Sequence, residues 1–154
     1  MIAHLPKLLV GLPMFEGFVI PYVQVVQGDG APEVGKIDPE RLQRVQGERR
    51  CQMCGKKIGK KQMLVFIGGD ASRITGFFEG GAMHEECALY LAEMVKLSQR
   101  LNPSKDGVAL FAVWSYVLKK NTKGQVFCFV KKFEKVVWVV KPPKENNEAS
   151  TNST

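Results

Sequence analysis

The chain has 154 residues, 45% of them hydrophobic and 24% charged, a globular balance that excludes disorder as its main state. Lys and Arg number 22 against 15 Asp and Glu, a formal net charge of +7 that suits an acidic partner but names no activity. No apolar run approaches the roughly 20 residues that a membrane-spanning helix needs. Pro6 and Pro13 interrupt the short apolar stretch at 8–15, and no signal-peptide core or cleavage site is found. A cytoplasmic protein without membrane association is expected.

Residues 1–36 are rich in Pro and Gly, and 18–20 and 22–26 read as strands separated by Pro21. Residues 27–32 read as a turn or loop. A short helix should follow, with Asp38 as N-cap, Pro39 at its first position and Glu40 on the positive end of the dipole. Gly47 offers a stop. Residues 51–87 then read as the heart of a metal-centred unit, about 48–102. It comprises a strand at 63–67, a turn at 68–70, a weaker strand at 73–78, and a helix from about His84 to Arg100. Glu85 and Glu86 in its first turn and Lys96 and Arg100 in its last match the helix dipole. Cys87, Leu91, Met94 and Val95 form its inward stripe, and Asn102-Pro103 ends it.

The C-terminal third, about 107–141, reads as an antiparallel sheet. A long strand covers 108–118, a four-residue hairpin loop 121–124, a returning strand 125–130 and a third strand 136–140. The polar tail 144–154 is expected to be disordered. The fold class expected is α+β: one zinc-stabilised domain over 1–143.

The chemistry is concentrated in two phrases. Cys51-Gln52-Met53-Cys54-Gly55 is followed, after the 29 residues 55–83, by His84-Glu85-Glu86-Cys87. Each phrase is a ligand pair with two residues between. Two thiolates on a tight turn can reach one ion, and positions i and i+3 of a first helical turn share one face. Together they give a Cys3His set, which favours tetrahedral zinc in a closed, structural site. Knuckle, hairpin and ligand-bearing helix describe a treble-clef zinc finger. A Cys51–Cys54 disulfide and an iron–sulfur cluster are the lesser alternatives.

The other polar residues read blandly. Cys128 lies between Phe127 and Phe129 as a small core residue. His4 has no partner, Asp70 sits in a turn, and Glu85 and Glu86 serve the helix start. No Ser-His-Asp set, phosphate-cradling loop or dinucleotide fingerprint occurs, and no small-molecule substrate is evident. A treble-clef nuclease needs further histidines, whereas His84 is committed to metal. No enzymatic activity is expected.

Two basic groups remain. Arg41, Arg44, Arg49, Arg50, Lys56, Lys57, Lys60 and Lys61 crowd the zinc knuckle, with Glu48 as the only acid of the stretch 41–61. Arg49, Arg50, Lys56, Lys57, Lys60 and Lys61 are the candidate nucleic-acid ligands. Lys119, Lys120, Lys123, Lys131, Lys132, Lys135 and Lys141 accompany aromatics in the C-terminal sheet, a mixture suited to phosphate contact with base stacking. The alternative partner is a protein, for example a host enzyme modulated by this module.

The order Asp38-Pro39-Glu40-Arg41, Cys51-x-x-Cys54-Gly55 and Gly81-Ala82-Met83-His84-Glu85-Glu86-Cys87-Ala88-Leu89-Tyr90, with the later Trp114 and its Lys-rich hairpin, is distinctive. Over roughly residues 10–141 the chain resembles a family of short, uncharacterised treble-clef zinc-finger-like proteins of actinobacteria and their bacteriophages. Its most specific phrase is His-x-x-Cys-Ala-x-Tyr. Members often carry a further Cys followed by Pro late in the helix, where Val95-Lys96 stand here. The resemblance implies zinc and a bacterial or phage setting, with no established activity.

Overall fold

The computed structural model describes residues 5–101 and 103–143; His4, Asn102 and the tail 144–154 lie outside them. A 3-10 turn, Lys7–Leu9, buries Leu9 completely. Strands β1 (Met14–Phe15) and β2 (Phe18–Val19) form a short antiparallel hairpin. The amide of Val19 donates to the Tyr90 hydroxyl at 3.0 Å and ties this hairpin to the core. Strand β3 (Gln24–Val26) pairs with β4 (Pro32–Ile37) across the turn expected at 27–32. Sequence reading did not find β4, because Pro32 and Gly35 weaken its strand signal.

Helix α1 (Pro39–Glu48) begins as expected: the Asp38 carboxylate accepts the Glu40 and Arg41 amides at 3.0 and 3.3 Å. Gly47 does not stop it. The helix ends at Arg49, which adopts the left-handed conformation (φ 56°, ψ 48°) that glycine usually supplies.

Strand β5 (Leu64–Gly68) follows, then α2 (Asp70–Thr75), β6 (Phe77–Phe78) and α3 (Glu85–Leu101). Four strands complete the chain: β7 (Val108–Val113), β8 (Val117–Lys120), β9 (Val126–Phe129) and β10 (Lys135–Val140). They enter two antiparallel three-stranded sheets, β10-β7-β5 and β6-β9-β8. The fold is therefore α+β, but the expected C-terminal sheet is corrected in its membership. Each sheet takes one strand from the metal-centred stretch.

Two local readings change with it. The weaker strand expected at 73–78 is mostly helix α2, with only Phe77–Phe78 extended. Ile74 and Thr75 favour a strand locally, but Asp106 overrides them from 35 residues away. Its carboxylate accepts the Ala71 amide at 3.2 Å, and its carbonyl accepts the Asp70 amide at 2.9 Å. The long strand expected at 108–118 breaks between β7 and β8. Tyr116 pulls the chain aside, donating its hydroxyl to the Gln46 carbonyl at 2.6 Å and packing edge-on against Phe66. The 121–124 loop forms as expected. The Asn121 side chain accepts the Lys123 and Gln125 amides, and Gly124 takes φ 85°.

Phe66 and Phe111 face each other across β5 and β7, both fully buried. Phe78 packs on both rings, at 4.7 and 5.1 Å between centroids. Helix α3 lays Ala88, Tyr90 and Ala92 on the same core. Each large side chain buried here contributes roughly 1.5–3 kcal/mol. No helix among the described residues is long and apolar enough to cross a membrane.

Candidate metal centre

The first ligand pair lies directly after the α1 cap. The Cys51 amide donates to the Lys56 carbonyl and the Gly55 amide to the Cys51 carbonyl, both at 2.8 Å, which folds 51–56 into a tight knuckle. Gly55 holds φ +79°, and a Cβ there would meet the Tyr22 ring at 2.7 Å. The knuckle glycine is thus required twice, by conformation and by Tyr22 packing over it. The Tyr22 and Val23 amides donate to the Met53 and Gln52 carbonyls and anchor the knuckle to the N-terminal segment.

The second pair arrives from the other side. Val65 and Met83 exchange both backbone hydrogen bonds, at 3.0 and 2.8 Å, so the approach to α3 runs antiparallel to β5. The Gln52 amide donates to the Ala82 carbonyl, and the Gln52 side chain accepts the Gly81 amide at 2.9 Å. A Cβ at Gly81 would run into Val45, so glycine lets this strand close over α1. His84 then sits immediately before α3, and Cys87 in its first turn.

The four ligand atoms all lie within 4.8 Å of one another, and all four residues are buried. Tetrahedral zinc, with Zn–S near 2.3 Å and Zn–N near 2.0 Å, needs ligand atoms roughly 3–4 Å apart. The donor set fits such an ion. His84 turns Nδ1 to within 3.4 Å of the Cys54 sulfur, while Nε2 lies 3.1 Å from the Lys57 carbonyl. A carbonyl only accepts, so Nε2 carries the proton and Nδ1 offers its lone pair to the cluster. Such an outer partner fixes ring orientation and tautomer. The His84 amide also points at the Cys51 sulfur, 3.4 Å away.

The protein groups alone compete for protons here. Hydrogen bonds from Cys51, Cys87 and His84 hold the Cys54 thiol far below its ordinary range, against the cost of burial. Cys51 and Cys54 push His84 up to about 10 and drive Cys87 well above an ordinary thiol. A bound cation ends this competition, because it takes thiolates and a neutral imidazole together. The N-terminus of α3 favours negative charge at Cys87 in the same sense. All four cysteines are free of disulfides, and Cys128 is buried outside the cluster with its thiol pushed up to about 12 by burial.

The six basic candidates divide. Lys56, Lys57, Lys60 and Lys61 are exposed and make no ion pair among the described residues. Arg49 and Arg50 are turned to the protein itself. Arg49 donates to the carbonyls of Ile58, Gly59, Gln62 and Trp114, at 3.3 to 3.5 Å. Arg50 donates to Glu48 at 2.7 Å and to the Gly55 carbonyl at 3.1 Å. Arg50 braces the knuckle, and Arg49 ties the 58–62 segment after it to Trp114, roles that no local motif announces. No protein-family model, curated protein or solved structure matches this chain.

Proposed function

We propose that this chain is a small cytoplasmic structural-zinc protein of bacterial or phage origin, an accessory or regulatory protein that contacts nucleic acid through a basic surface. The observation that carries the zinc assignment is the buried Cys3His cluster with His84 already oriented by the Lys57 carbonyl. Four strong protein ligands leave no coordination position for water, so the ion organises structure and performs no hydrolysis. The knuckle at 51–56, the antiparallel Val65–Met83 pair and α3 bearing the last ligand support a treble-clef reading, with α2 and β6 inserted between the two hairpin arms. The nucleic-acid reading is supported by Lys56, Lys57, Lys60 and Lys61, exposed beside that knuckle.

Elemental analysis of freshly purified protein tests the metal; stoichiometric zinc is expected, and its absence overturns the assignment. Structural zinc contributes roughly 10–16 kcal/mol of apparent binding energy in small zinc-finger peptides. A domain's whole stability is roughly 5–15 kcal/mol. Chelation or Cys54→Ala should therefore unfold the protein. Reversing the four lysines to Glu should abolish nucleic-acid retention while changing stability by no more than about 0.5 kcal/mol each. Absence of binding to duplex DNA, single-stranded DNA and RNA at low salt overturns the nucleic-acid reading.

A further inference from the structure

Strands β6 and β9 of the sheet β6-β9-β8 bury one face and leave the other partly open, and β8 is exposed on both. Phe78 and Cys128 point into the core, both buried. Alternation along the strands puts Phe77, Phe127 and Phe129 on the other face, together with Val117 and Lys119. Ring contacts bear this out: Phe77 lies 5.0 Å from Phe129 and 6.1 Å from Phe127 between centroids. The planes meet at 48° and 83°, so no ring covers its neighbour in parallel. Phe77 is 39% exposed and Val117 55%. Strand β8 is exposed along its whole length.

Charge surrounds these rings asymmetrically. The Lys119 ammonium sits over the Phe129 ring, 4.9 Å from its centroid. Lys123 continues the basic flank in the turn after β8, and Lys131 stands exposed two residues beyond Phe129; Lys120, paired with Val126, lies on the opposite face of β8. The opposite flank is a hollow of about 450 Å³ beside Phe77 and Phe127, lined also by Glu79 and Asp106. Asp106 accepts the Ala71 amide and Glu79 the Gln125 side chain, and their negative charge directs phosphate to the lysine flank.

We infer that this face is a stacking platform for single-stranded nucleic acid, with bases on Phe77, Phe127 and Phe129 and the backbone along Lys119 and Lys123. The inference rests on the nucleic-acid reading above and adds the strandedness of the ligand and the face that holds it. Aromatic rings on an open sheet beside lysines bind unpaired bases, because every base has a π-face while a duplex hides its own. The ammonium over Phe129 marks ring surface open to a planar or cationic visitor, and its displacement by a base leaves it beside the phosphate. The start of β8 also lies close in chain to a residue that Arg49 holds. Arg49 binds the carbonyls of Gly59, Gln62 and Trp114, and Val117 follows Trp114 by three residues, at most about 11 Å of chain. The register Val117↔Phe129 places the Phe77–Phe129 row at that end of the sheet.

The test is fluorescence anisotropy of zinc-loaded full-length chain with labelled single-stranded oligo-dT, oligo-U and a duplex of equal length at about 50 mM salt. The single strands are expected to bind more tightly than the duplex. Phe77→Ala should weaken single-strand binding by about 5- to 150-fold, the range for losing one base stack. Phe77→Trp should restore it, and Lys119→Ala should weaken it and flatten its salt dependence. Thermal melts identify any variant that fails to fold; Phe77→Trp and Lys119→Ala then decide alone. Wild-type binding that survives both Phe77→Ala and Lys119→Ala, or that favours the duplex, overturns the platform and leaves the nucleic-acid reading standing. No binding to any of the three ligands overturns both. A wild-type dimer in sedimentation that Phe77→Ala makes monomeric assigns the face to a second copy and also overturns the platform.

Discussion

Arg49 separates a structural role from a binding role by stability alone. Arg49→Ala removes four hydrogen bonds to the carbonyls of Ile58, Gly59, Gln62 and Trp114. They are long and largely exposed, so each is assigned about 0.5 kcal/mol, the low end for protein hydrogen bonds. Their loss costs about 2 kcal/mol. Arg49→Gly loses the same bonds but relieves the left-handed backbone at φ 56°, worth about 1 kcal/mol, and nets a loss of about 1 kcal/mol. Arg49→Lys keeps the charge but not the planar fork, and should fall near alanine. Urea unfolding of zinc-loaded protein by circular dichroism reads these values. With a slope of about 1–3 kcal/mol/M, the alanine variant should shift the midpoint by about 1 M at unchanged slope. An alanine variant within about 0.5 kcal/mol of wild type refutes the brace and returns Arg49 to the binding surface. A glycine variant less stable than alanine refutes the backbone half of the reasoning.

Three further outcomes are expected. Gly55→Ala forces a side chain onto Tyr22 at a left-handed position and should cost about 2–4 kcal/mol, with faster zinc release to a chromogenic chelator. Burial raises the Cys128 thiol from 9.0 to about 12, so the folded state holds that proton more tightly than the unfolded chain. Stability from this group is full below about pH 9, is lost as pH rises toward 12, and is down by about 2–3 kcal/mol at pH 11; Cys128→Ala should start lower at pH 7 yet fall less steeply between pH 8 and 11 in thermal melts. Asp106→Ala should remove the side-chain cap of α2 at a cost of about 1 kcal/mol, read as faster amide exchange at Ala71 with the metal centre unchanged.

The parts of the molecule legible in the sequence are those whose signals are local. Asp38 and Pro39 start α1, Asn121 and Gly124 make the β8–β9 turn, and two paired ligand phrases bring Cys51, Cys54, His84 and Cys87 together. Each is specified by residues within a few positions of one another. The misread parts depend on partners far along the chain. Asp106 turns 70–75 into helix, and Tyr116 bends an otherwise continuous β-prone run by bonding to Gln46. The same distinction divides the basic residues. Composition cannot distinguish Lys57, which is exposed, from Arg49, whose donors meet carbonyls up to 65 residues away.

The sheet order β10-β7-β5 bears on the sequence of events at the ribosome. Strand β5 lies between two metal-ligand pairs, yet its ladder partner β7 begins 21 residues after Cys87. All four ligands therefore emerge before any strand that can complete the sheet. A metal ion bound at that stage would close the 55–83 loop early and remove the entropy of that closure from the later pairing. A peptide cut at 48–102 carries the whole donor set but neither β7 nor β10, so it leaves Phe66 without Phe111. Such a peptide would chelate metal without acquiring the native hydrophobic interior. Nascent chains stalled before and after residue 113 should differ in protease resistance more than in zinc content.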